Sequence, residues 1–385
     1  AQGELLRMTR MRIIVAALAV GACAYLLLWP VPVKPVAWQA PPIPAYAGVH
    51  AVNERLAGLQ SISLAGNAGP EHVAIGPDGR LYVAVEGGRI LRMQPDGAAL
   101  EVFAQTGGRV LGFAFAADGQ LYAADALRGL LLIDRVGQVQ PLVTHFGDEP
   151  IRYADAVVVA RDGRVYFSDA STRFAPAEWG GTFEASVLDI LEQSATGRVF
   201  EYNPLTQTTR QVATGFSFAN GLALTADEQH LLVVETGRYR VWRIAIGAQD
   251  LDVRSLEAGA STSTTPAAPA AMVLLDNLPG YPDNLMRGLD GRIWLGFTKP
   301  RSAVVDRMAP YPWLRRLTLR LPRAMWPVPP AYGHVIAFTE TGQIVRDLQD
   351  PSGAYPETTA VTETRERLYV QSLHASTLGW LQQNP

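Results

Sequence analysis

Cysteine and net charge are what this chain has least of. Cys23 is the only cysteine in 385 residues, so no intrachain disulfide is possible and the fold must depend on packing alone. Lysine and arginine total 33 against 36 aspartates and glutamates, which gives a formal charge of −3. Because a basic face is the electrostatic footprint of nucleic-acid binding, nucleic acid is not an expected partner.

The motifs of several common enzyme classes are missing as well. There is no Gly-x-Ser-x-Gly motif, and none of the six histidines forms a readable triad with a serine or a cysteine, so a serine-hydrolase mechanism has no support. No glycine-rich phosphate loop leads from a strand into a helix, so nucleotide binding has none either. No linker rich in glycine or serine divides the chain, which favours a single large domain after the N-terminus.

What the chain does have is a repeated turn-and-strand pattern. A polar turn, usually Asp-Gly, is followed by a short apolar strand in PDGRLYVA at Pro77, ADGQLYAA at Ala117, RDGRVYFS at Arg161, ADEQHLLVV at Ala226, LDGRIWLG at Leu289 and TRERLYVQ at Thr364. Repeats of roughly 40 to 50 residues built from short strands are typical of propeller blades. The pattern therefore predicts an all-β fold, a six-bladed β-propeller over residues 46–385.

Two further features of the propeller can be predicted from the same pattern. The strand-like residues 61–64 are expected to complete the first or the last blade and so to close the ring. The third and fifth repeats are longer than the others, which predicts insertions near 171–195 and 300–330 that emerge as loops at the ends of blades.

Four oxygen-bearing residues occupy one position of this repeat. Glu71, Asp155, Asn220 and Asp283 each stand seven residues before a turn residue, at 78, 162, 227 and 290. The same offset in the other two repeats falls on Leu111 and Thr358. Equivalent positions on inner strands face one another across the channel of a propeller, so we expect the four oxygen donors to converge there.

Carboxylate and amide oxygens favour a hard cation. With no histidine or cysteine at these positions, Ca²⁺ is the expected ion, although another divalent cation would also fit. Without a metal, the carboxylates should repel one another and raise at least one pKa. The simpler alternative is that these residues only end turns, as Asp and Asn often do. Of their neighbours, Asn284 is a candidate extra ligand or a supporting partner, and His72 is more readily explained as structural.

The N-terminus has the pattern of a membrane anchor. Residues 1–12 are basic, 13–29 are apolar and uncharged, and 30–45 form a proline-rich stretch expected to be an extended spacer. The arginines before the apolar run predict a cytoplasmic N-terminus, a single pass through the inner membrane and a periplasmic propeller. A cleaved signal peptide is the main alternative, and lipidation of Cys23 is a weaker one. Met8 and Met11 are both candidate initiators.

The 300–330 insertion combines aromatic and basic side chains. Its candidate contact residues for a membrane or a partner are Trp313, Arg315, Arg316, Arg320, Arg323 and Trp326. Such a segment can form an interfacial helix that lies on lipid or on an integral-membrane protein. A lid packed over the channel mouth is the alternative.

Longer motifs point to a family. The runs TGRVFEYNPLTQTTRQVATGFSFANGLALTAD, VVETGRYRVWRI and LDNLPGYPDNLMRGLDGRIWLG resemble the strictosidine synthase-like family, including its membrane-anchored animal and bacterial members, within the gluconolactonase, regucalcin and paraoxonase-like six-bladed propellers. The resemblance implies a metal in the channel, and its motifs GPEHVA, YADAVVV, FANGL and YPDNL contain the same residues, namely Glu71, Asp155, Asn220 and Asp283.

The chain also departs from this family's pattern. Ala360 stands where strictosidine synthase itself has the glutamate used in its condensation of an amine with an aldehyde, so that activity is not expected. Paraoxonase-like lactonases carry a catalytic histidine before a glycine in the second blade, whereas this chain has Arg109-Val110-Leu111-Gly112. Asp155 is commonly asparagine in the metal-dependent relatives, which implies a more acidic site here.

These observations lead to two functional hypotheses. The first is a membrane-anchored, calcium-dependent hydrolase of a small-molecule lactone or other ester, in which Asp283 or Asp155 activates water beside the metal. The second is a non-catalytic binding module or accessory subunit of an integral-membrane protein, because propellers serve many functions.

Overall fold

In the computed structural model, which describes residues 2–44, 46–257 and 269–383, the strands form six sheets of four or five strands and one small hairpin. The four main strands of each large sheet pair antiparallel, the short fifth strand of one sheet pairs parallel, and consecutive sheets contact each other through their first strands. The predicted six-bladed β-propeller is therefore confirmed, and each blade begins at its innermost strand.

The blades follow one another along the chain. Blade 1 contains His72–Ile75, Leu81–Val85, Arg89–Met93 and Glu101–Gln105, and blade 2 contains Val110–Phe115, Leu121–Asp125, Gly129–Ile133 and Val139–Val143. Blade 3 contains Ala154–Val159, Val165–Asp169, Gly197–Asn203, Thr208–Phe216 and Leu251–Asp252, and blade 4 contains Ala219–Leu224, His230–Glu235, Arg240–Ala245 and Ala271–Leu275. Blade 5 contains Gly280–Arg287, Ile293–Pro300, Gly333–Phe338 and Ile344–Asp350, and blade 6 contains Thr358–Glu363, Arg367–Ser372, Thr377–Gln382 and Gln60–Ser63. The small hairpin pairs His145–Phe146 with Glu149–Pro150.

The last blade takes its outer strand from the beginning of the propeller. Gln60–Ser63 pairs antiparallel with Thr377–Gln382, with Ile62 opposite Leu378. Both side chains are buried in the core shared with blade 1. The prediction of a closing strand near residues 61–64 is thus confirmed, and the blade it completes is the sixth. Pairing the two ends of the propeller removes a free sheet edge.

The second strands of the blades are buried on both faces. All five residues of Leu81–Val85, Leu121–Asp125 and Val165–Asp169 are buried, because each blade is covered by a neighbouring blade on either side. This explains why the strands after the Asp-Gly turns are almost continuously apolar instead of alternating. The turns themselves need a left-handed residue, which Gly79 supplies with φ 76° and Gly163 with φ 88°.

Both predicted insertions contain helices: a helix was one of the expectations for the 300–330 insertion, whereas only a loop was expected near 171–195. The first holds Pro176–Trp179 and Thr182–Glu192, and the second holds Ala303–Met308, Pro312–Arg320 and a 3-10 turn at Arg323–Met325. Further short helical segments are Val253–Glu257 and the 3-10 turns Gly48–His50, Glu86–Gly88 and Thr236–Arg238. The sequence signal was weak because none of these helices exceeds 11 residues, which is about three turns.

The chain divides into two compact units. The smaller one comprises the N-terminal segment through Ala40 together with residues 191–194 and 302–328, and the larger one contains the blades. In the smaller unit the helix Gln2–Leu28 includes 22 residues, Arg7–Leu28, with a mean hydropathy of 2.2 and no buried residue, which is long and apolar enough to cross a membrane.

Within the smaller unit, the helix Pro312–Arg320 packs on the helix Gln2–Leu28. Arg320 donates from Nε to the Trp29 carbonyl at 2.7 Å and from Nη1 to the Leu26 carbonyl at 3.0 Å. Carbonyls at the C-terminal end of a helix have no partner inside the helix, so Arg320 satisfies groups that would otherwise need water.

Candidate functional site

The candidate ligands lie at equivalent irregularities of the innermost strands. Asp155, Asn220 and Asp283 each fall where the pairing with the second strand shifts register. Glu71 directly precedes the first strand of blade 1, and its N–H donates to the Ala84 carbonyl at 3.1 Å. Because a β-bulge bends the strand and changes the direction of its side chains, these residues leave the regular alternation of the sheet.

The strand pairing places the four candidate ligands at equivalent positions of their blades. The last paired residues of the inner strands in blades 1, 3, 4 and 5 are 75, 159, 224 and 287, and the ligand candidates stand at the same distance before them. In blade 6 the last pair joins Glu363 to Leu368 across a turn one residue shorter than in blade 3, where Val159 pairs with Val165. The blade 6 equivalent is therefore Thr359, and the assignment to Thr358 is wrong by one position.

Hydroxyl groups of neighbouring blades fix the backbone at these bulges. Ser168 Oγ donates to the Asn220 carbonyl at 2.9 Å, Thr236 Oγ1 to the carbonyl of residue 282 at 2.7 Å, and Thr359 Oγ1 to the Glu71 carbonyl at 3.1 Å. Each of these hydroxyls lies on the blade next to the carbonyl it contacts. The backbone at Glu71, at Asn220 and next to Asp283 thus depends on the packing of two blades.

The three carboxylates are buried together. Glu71 is 2% exposed, Asp155 4% and Asp283 6%. Burial is the main cause that raises each pKa, and repulsion adds to it: the charge of Asp283 raises the pKa of Glu71, Glu71 raises that of Asp155, and Asp155 raises that of Asp283. The pKa of Glu71 rises to about 8, and those of the two aspartates rise well above their usual range. The expected carboxylate repulsion is therefore present.

Asn220 completes the group as an oxygen donor. Its side chain is 4% exposed, and its amide donates to Asp283, which partly offsets the rise in the pKa of that carboxyl. Its carbonyl oxygen Oδ1 is buried and has no hydrogen-bond partner among the described residues. A buried acceptor without a partner costs about 1–3 kcal/mol. Three carboxylates with an unpartnered amide oxygen are the donor set that a hard divalent cation needs, so these residues fit the ion expected from the sequence.

Two donors contact Glu71. Arg109 Nη2 lies 3.3 Å from Glu71 Oε2, and Asn284 Nδ2 lies 3.4 Å from Glu71 Oε1. Asn284 therefore lies beside a candidate ligand, where a supporting partner would stand. The role of Arg109 was missed, because an arginine is not itself a ligand and only the fold shows which carboxylate it meets. Its other terminal nitrogen, Nη1, is buried without a partner in the described part of the chain.

A histidine–glutamate pair lies close enough to alter the charges of the site. His374 Nδ1 contacts Glu357 Oε2, and Lys299 Nζ lies 3.0 Å from Glu357 Oε1. Burial alone would raise the pKa of Glu357, but the contacts with His374 and Lys299 outweigh it and lower that pKa. The same contact raises the pKa of His374, whose side chain remains 48% exposed. The pair also acts on the pKa values of Glu71 and Asp283.

His72 has a different environment from Glu71. It is 7% exposed, and its ring lies 4.7 Å from the ring of Phe113 in an edge-on arrangement. Burial lowers its pKa to about 4, so the imidazole is neutral at physiological pH. These contacts agree with the structural role expected for His72.

The candidate contact residues of the 300–330 insertion lie in the smaller unit and differ among themselves. Trp313 is 62% exposed, Arg316 and Arg323 are exposed, and Trp326 is half-buried and donates from Nε1 to the Leu321 carbonyl at 3.1 Å. Arg315 is only 1% exposed and donates to the carbonyls of Leu191, Val36 and Ala309. Its guanidinium holds backbone segments together, so we remove Arg315 from the set expected to face lipid.

Known protein families match parts of the chain that include candidate ligands. Residues 48–93, which include Glu71, match the model of the strictosidine synthase-like N-terminal family, and residues 155–249, which include Asp155 and Asn220, match the strictosidine synthase model. The chain belongs to the strictosidine synthase-like family. It is 28% identical to protein strictosidine synthase-like 10 of Arabidopsis thaliana over 83% of this chain and 86% of that one. It is 24% identical to the adipocyte plasma membrane-associated protein of Homo sapiens over 91% of this chain and 83% of that one.

Solved structures show the same fold at lower identity. A gluconolactonase from Xanthomonas campestris is 19% identical, with a TM-score of 0.57 over 92% of this chain and 99% of that one. The calcium-binding protein regucalcin from Agrobacterium tumefaciens is 14% identical, with a TM-score of 0.53 over 83% of this chain and 93% of that one. The strictosidine synthase-like chain thus shares its six-bladed propeller with proteins of these names.

Proposed function

We propose that this strictosidine synthase-like protein is a membrane-anchored, calcium-dependent hydrolase of a lactone or other ester. The observation that carries the proposal is Asn220 Oδ1, which has no partner among the residues described, beside three buried carboxylates that raise one another's pKa. Without a cation, these three carboxylates repel one another and the amide oxygen is unsatisfied. A bound cation would attract all four groups. The likeness to a gluconolactonase and to a calcium-binding propeller supports the same reaction class and ion.

Glu71, Asp155, Asn220 and Asp283 would hold the cation. When bound, a calcium ion supplies Lewis-acid polarisation of the substrate carbonyl and offsets negative charge on its oxygen. Arg109 Nη1, close to Glu71 and without a partner in the part of the chain that the structure describes, is a donor that can stabilise the same developing charge.

The two aspartates and His374 can transfer the protons of the reaction. Asp283 or Asp155 accepts the proton of the attacking water, since both are placed in the site and their pKa values lie above those of exposed aspartates. His374 is half-exposed and paired with Glu357, so it provides a route by which a proton leaves for solvent. Ala360 is fully buried and bears no titratable group, which supports a reaction other than the condensation performed by strictosidine synthase.

The test is hydrolysis of a panel of lactones and aryl esters by the full-length protein in detergent. Activity is expected with calcium and is expected to disappear after chelation. Asp283→Ala should lower kcat/KM by at least about 10²-fold, the usual contribution of a general base. His145→Gln is the matched control, because His145 is exposed and its ring contacts the neighbouring Thr144 hydroxyl. Turnover that survives both chelation and Asp283→Ala would rule the proposal out.

Membrane anchoring is supported by the smaller unit. The helix Gln2–Leu28 is apolar over Arg7–Leu28, and Arg320 binds carbonyls at its C-terminal end. The helix Pro312–Arg320 would therefore lie at the bilayer surface if the long helix spans it. Exposed Trp313, Arg316 and Arg323 are residue types that favour this interface.

A second candidate function is that of an accessory subunit of an integral-membrane protein. Its support is the exposed apolar surface of the same unit, where Tyr311 is 52% exposed and Trp313 and Met325 are each 62% exposed. Purification of the untagged protein in mild detergent tests it. A stoichiometric membrane-protein partner would favour the subunit, and a monodisperse single chain would favour the hydrolase acting alone.

A further inference from the structure

In the larger unit, two histidines and an aspartate that are not part of the candidate calcium site lie close together. His50 belongs to the 3-10 turn Gly48–His50, ahead of the first blade, while His334 and Asp347 belong to adjacent strands of blade 5. His50 Nδ1 lies 2.8 Å from Asp347 Oδ2, and His334 Nε2 lies 3.0 Å from the same oxygen. The three candidate ligand atoms all lie within 4.8 Å of one another.

The carboxylate of this cluster is held in place from its other side. Asp347 Oδ1 accepts from Asn53 Nδ2 at 3.2 Å and from Gln349 Nε2 at 2.5 Å. The Gln349 amide also donates to the His50 carbonyl at 3.2 Å. Hydrogen bonds of this kind orient the ligands of metal sites, and here they leave Oδ2 directed at the two imidazoles.

Two polar atoms beside the cluster have no partner among the described residues. They are His334 Nδ1 and Tyr46 Oη, and both are buried. The rings of Tyr46 and His334 lie 5.8 Å apart, and burial raises the pKa of Tyr46 with a further contribution from the Asp347 charge. A purely hydrogen-bonded His–Asp–His cluster leaves the Tyr46 hydroxyl unsatisfied, at a cost of about 1–3 kcal/mol. A cation that carries water would give this hydroxyl a partner.

We propose that His50, His334 and Asp347 form a second metal site, selective for a Zn²⁺-type transition-metal dication. Two imidazole nitrogens and one carboxylate oxygen are the ligands that such ions prefer, whereas the channel offers oxygen only. Bonds of about 2.0–2.1 Å in tetrahedral geometry separate ligand atoms by roughly 3.3 Å. The present separations of 2.8 and 3.0 Å from Asp347 Oδ2 need small outward movements to reach that value, and the two imidazole nitrogens lie within 4.8 Å of each other. His50 is 12% exposed at its side chain, so the site can be reached from solvent.

The consequence of this site is a link between distant parts of the chain. His50 is separated from Asp347 by 297 residues. A metal held by both would fasten the segment before the first blade to blade 5, alongside the Leu56 N–H bond to the Gln349 carbonyl at 2.9 Å. Metal binding to such preformed residues stabilises the folded state by mass action.

Cobalt substitution tests the proposal without any activity assay. The untagged full-length protein, stripped with EDTA and titrated with Co²⁺, should develop the intense visible absorption of four-coordinate cobalt, which the oxygen donors of the channel cannot produce. Zn²⁺ should bleach this absorption and raise the Tm. His50→Gln and His334→Gln should each abolish both effects, while His145→Gln and Asp283→Asn should leave them intact.

Three outcomes overturn the site: no visible band with wild-type protein, a band that persists in both His50→Gln and His334→Gln, or a band lost equally in His145→Gln. Far-ultraviolet circular dichroism checks that each variant is folded. Because His50 lies in a turn outside the blades, His50→Gln decides the question even if His334→Gln fails to fold.

Discussion

The pKa of Glu71 depends on whether a cation is bound beside its carboxylate. Burial and the charge of Asp283 raise its pKa, and the guanidinium of Arg109 counteracts them without restoring the usual value. A cation would reverse the balance, because it favours the ionised carboxylates that otherwise repel one another. The protonation state of Glu71 therefore reports whether a cation occupies the site.

This gives a prediction for stability against pH. The pKa of Glu71 is raised from 4.5 to about 8 in the folded protein, so its contribution to stability is fully present below pH 4.5 and is lost as the pH rises through about 8. In EDTA, the free energy of unfolding should fall by several kcal/mol between pH 5 and pH 8, at about 1.4 kcal/mol for each unit of pKa shift. Urea unfolding at both pH values measures it.

Calcium and one substitution provide the controls for that prediction. Saturating calcium should flatten the decline, and Glu71→Gln in EDTA should make it smaller, since the glutamine cannot titrate while Asp155 and Asp283, whose pKa values are also raised, still can. A metal-free protein that is equally stable at both pH values would show that Glu71 is not buried among charges as described.

At the scale of elements, close packing of the inner strands decides where the ligands stand. Gly221 follows Asn220, and a Cβ added there would lie 2.5 Å from both the Asp283 carbonyl oxygen and the Leu285 nitrogen. These are backbone atoms of the neighbouring blade, so they cannot move aside as a flexible side chain would. The glycine therefore sets the separation between two of the candidate ligands.

Gly221→Ala is accordingly expected to weaken both fold and site. Overpacking of this kind costs about 1–3 kcal/mol, and the blades must separate to relieve it. Calorimetric titration should show at least a tenfold loss of calcium affinity, and thermal unfolding should show a lower Tm. Gly247→Ala is the matched control, because Gly247 is exposed and an added Cβ there meets no described residue within 4 Å. Equal effects of the two variants would contradict the role given to Gly221.

The elements also show what the sequence could and could not predict. The inner strands and the four candidate ligands could be predicted because the Asp-Gly turns mark the same place in most repeats. In blade 6 the turn is one residue shorter, so the seven-residue offset led to Thr358 instead of Thr359. The helix Thr182–Glu192 was missed because so short a segment has little periodicity. Arg109 near Glu71 and His50 near Asp347 arise from contacts between distant residues, which no local pattern encodes.

At the scale of the whole molecule, the proposed membrane anchor predicts on which side of the membrane the propeller lies. The single cysteine makes the answer accessible, since Cys23 can be replaced and new cysteines introduced one at a time. Leu205 in blade 3 is 89% exposed, and Thr9 is exposed in the N-terminal helix before the apolar run. The arginines beside Thr9 predict that it stays in the cytoplasm and that Leu205 is exported.

Labelling with a membrane-impermeant maleimide tests this topology in intact cells or spheroplasts. In a Cys23→Ser background, Leu205→Cys should react from outside, and Thr9→Cys should react only after lysis. Both proteins should remain in the membrane fraction after alkaline carbonate extraction, as a spanning helix requires. Labelling of Leu205→Cys only after lysis would reverse the orientation. A soluble, shortened protein that still labels at Leu205→Cys would instead identify the N-terminal helix as a cleaved signal peptide.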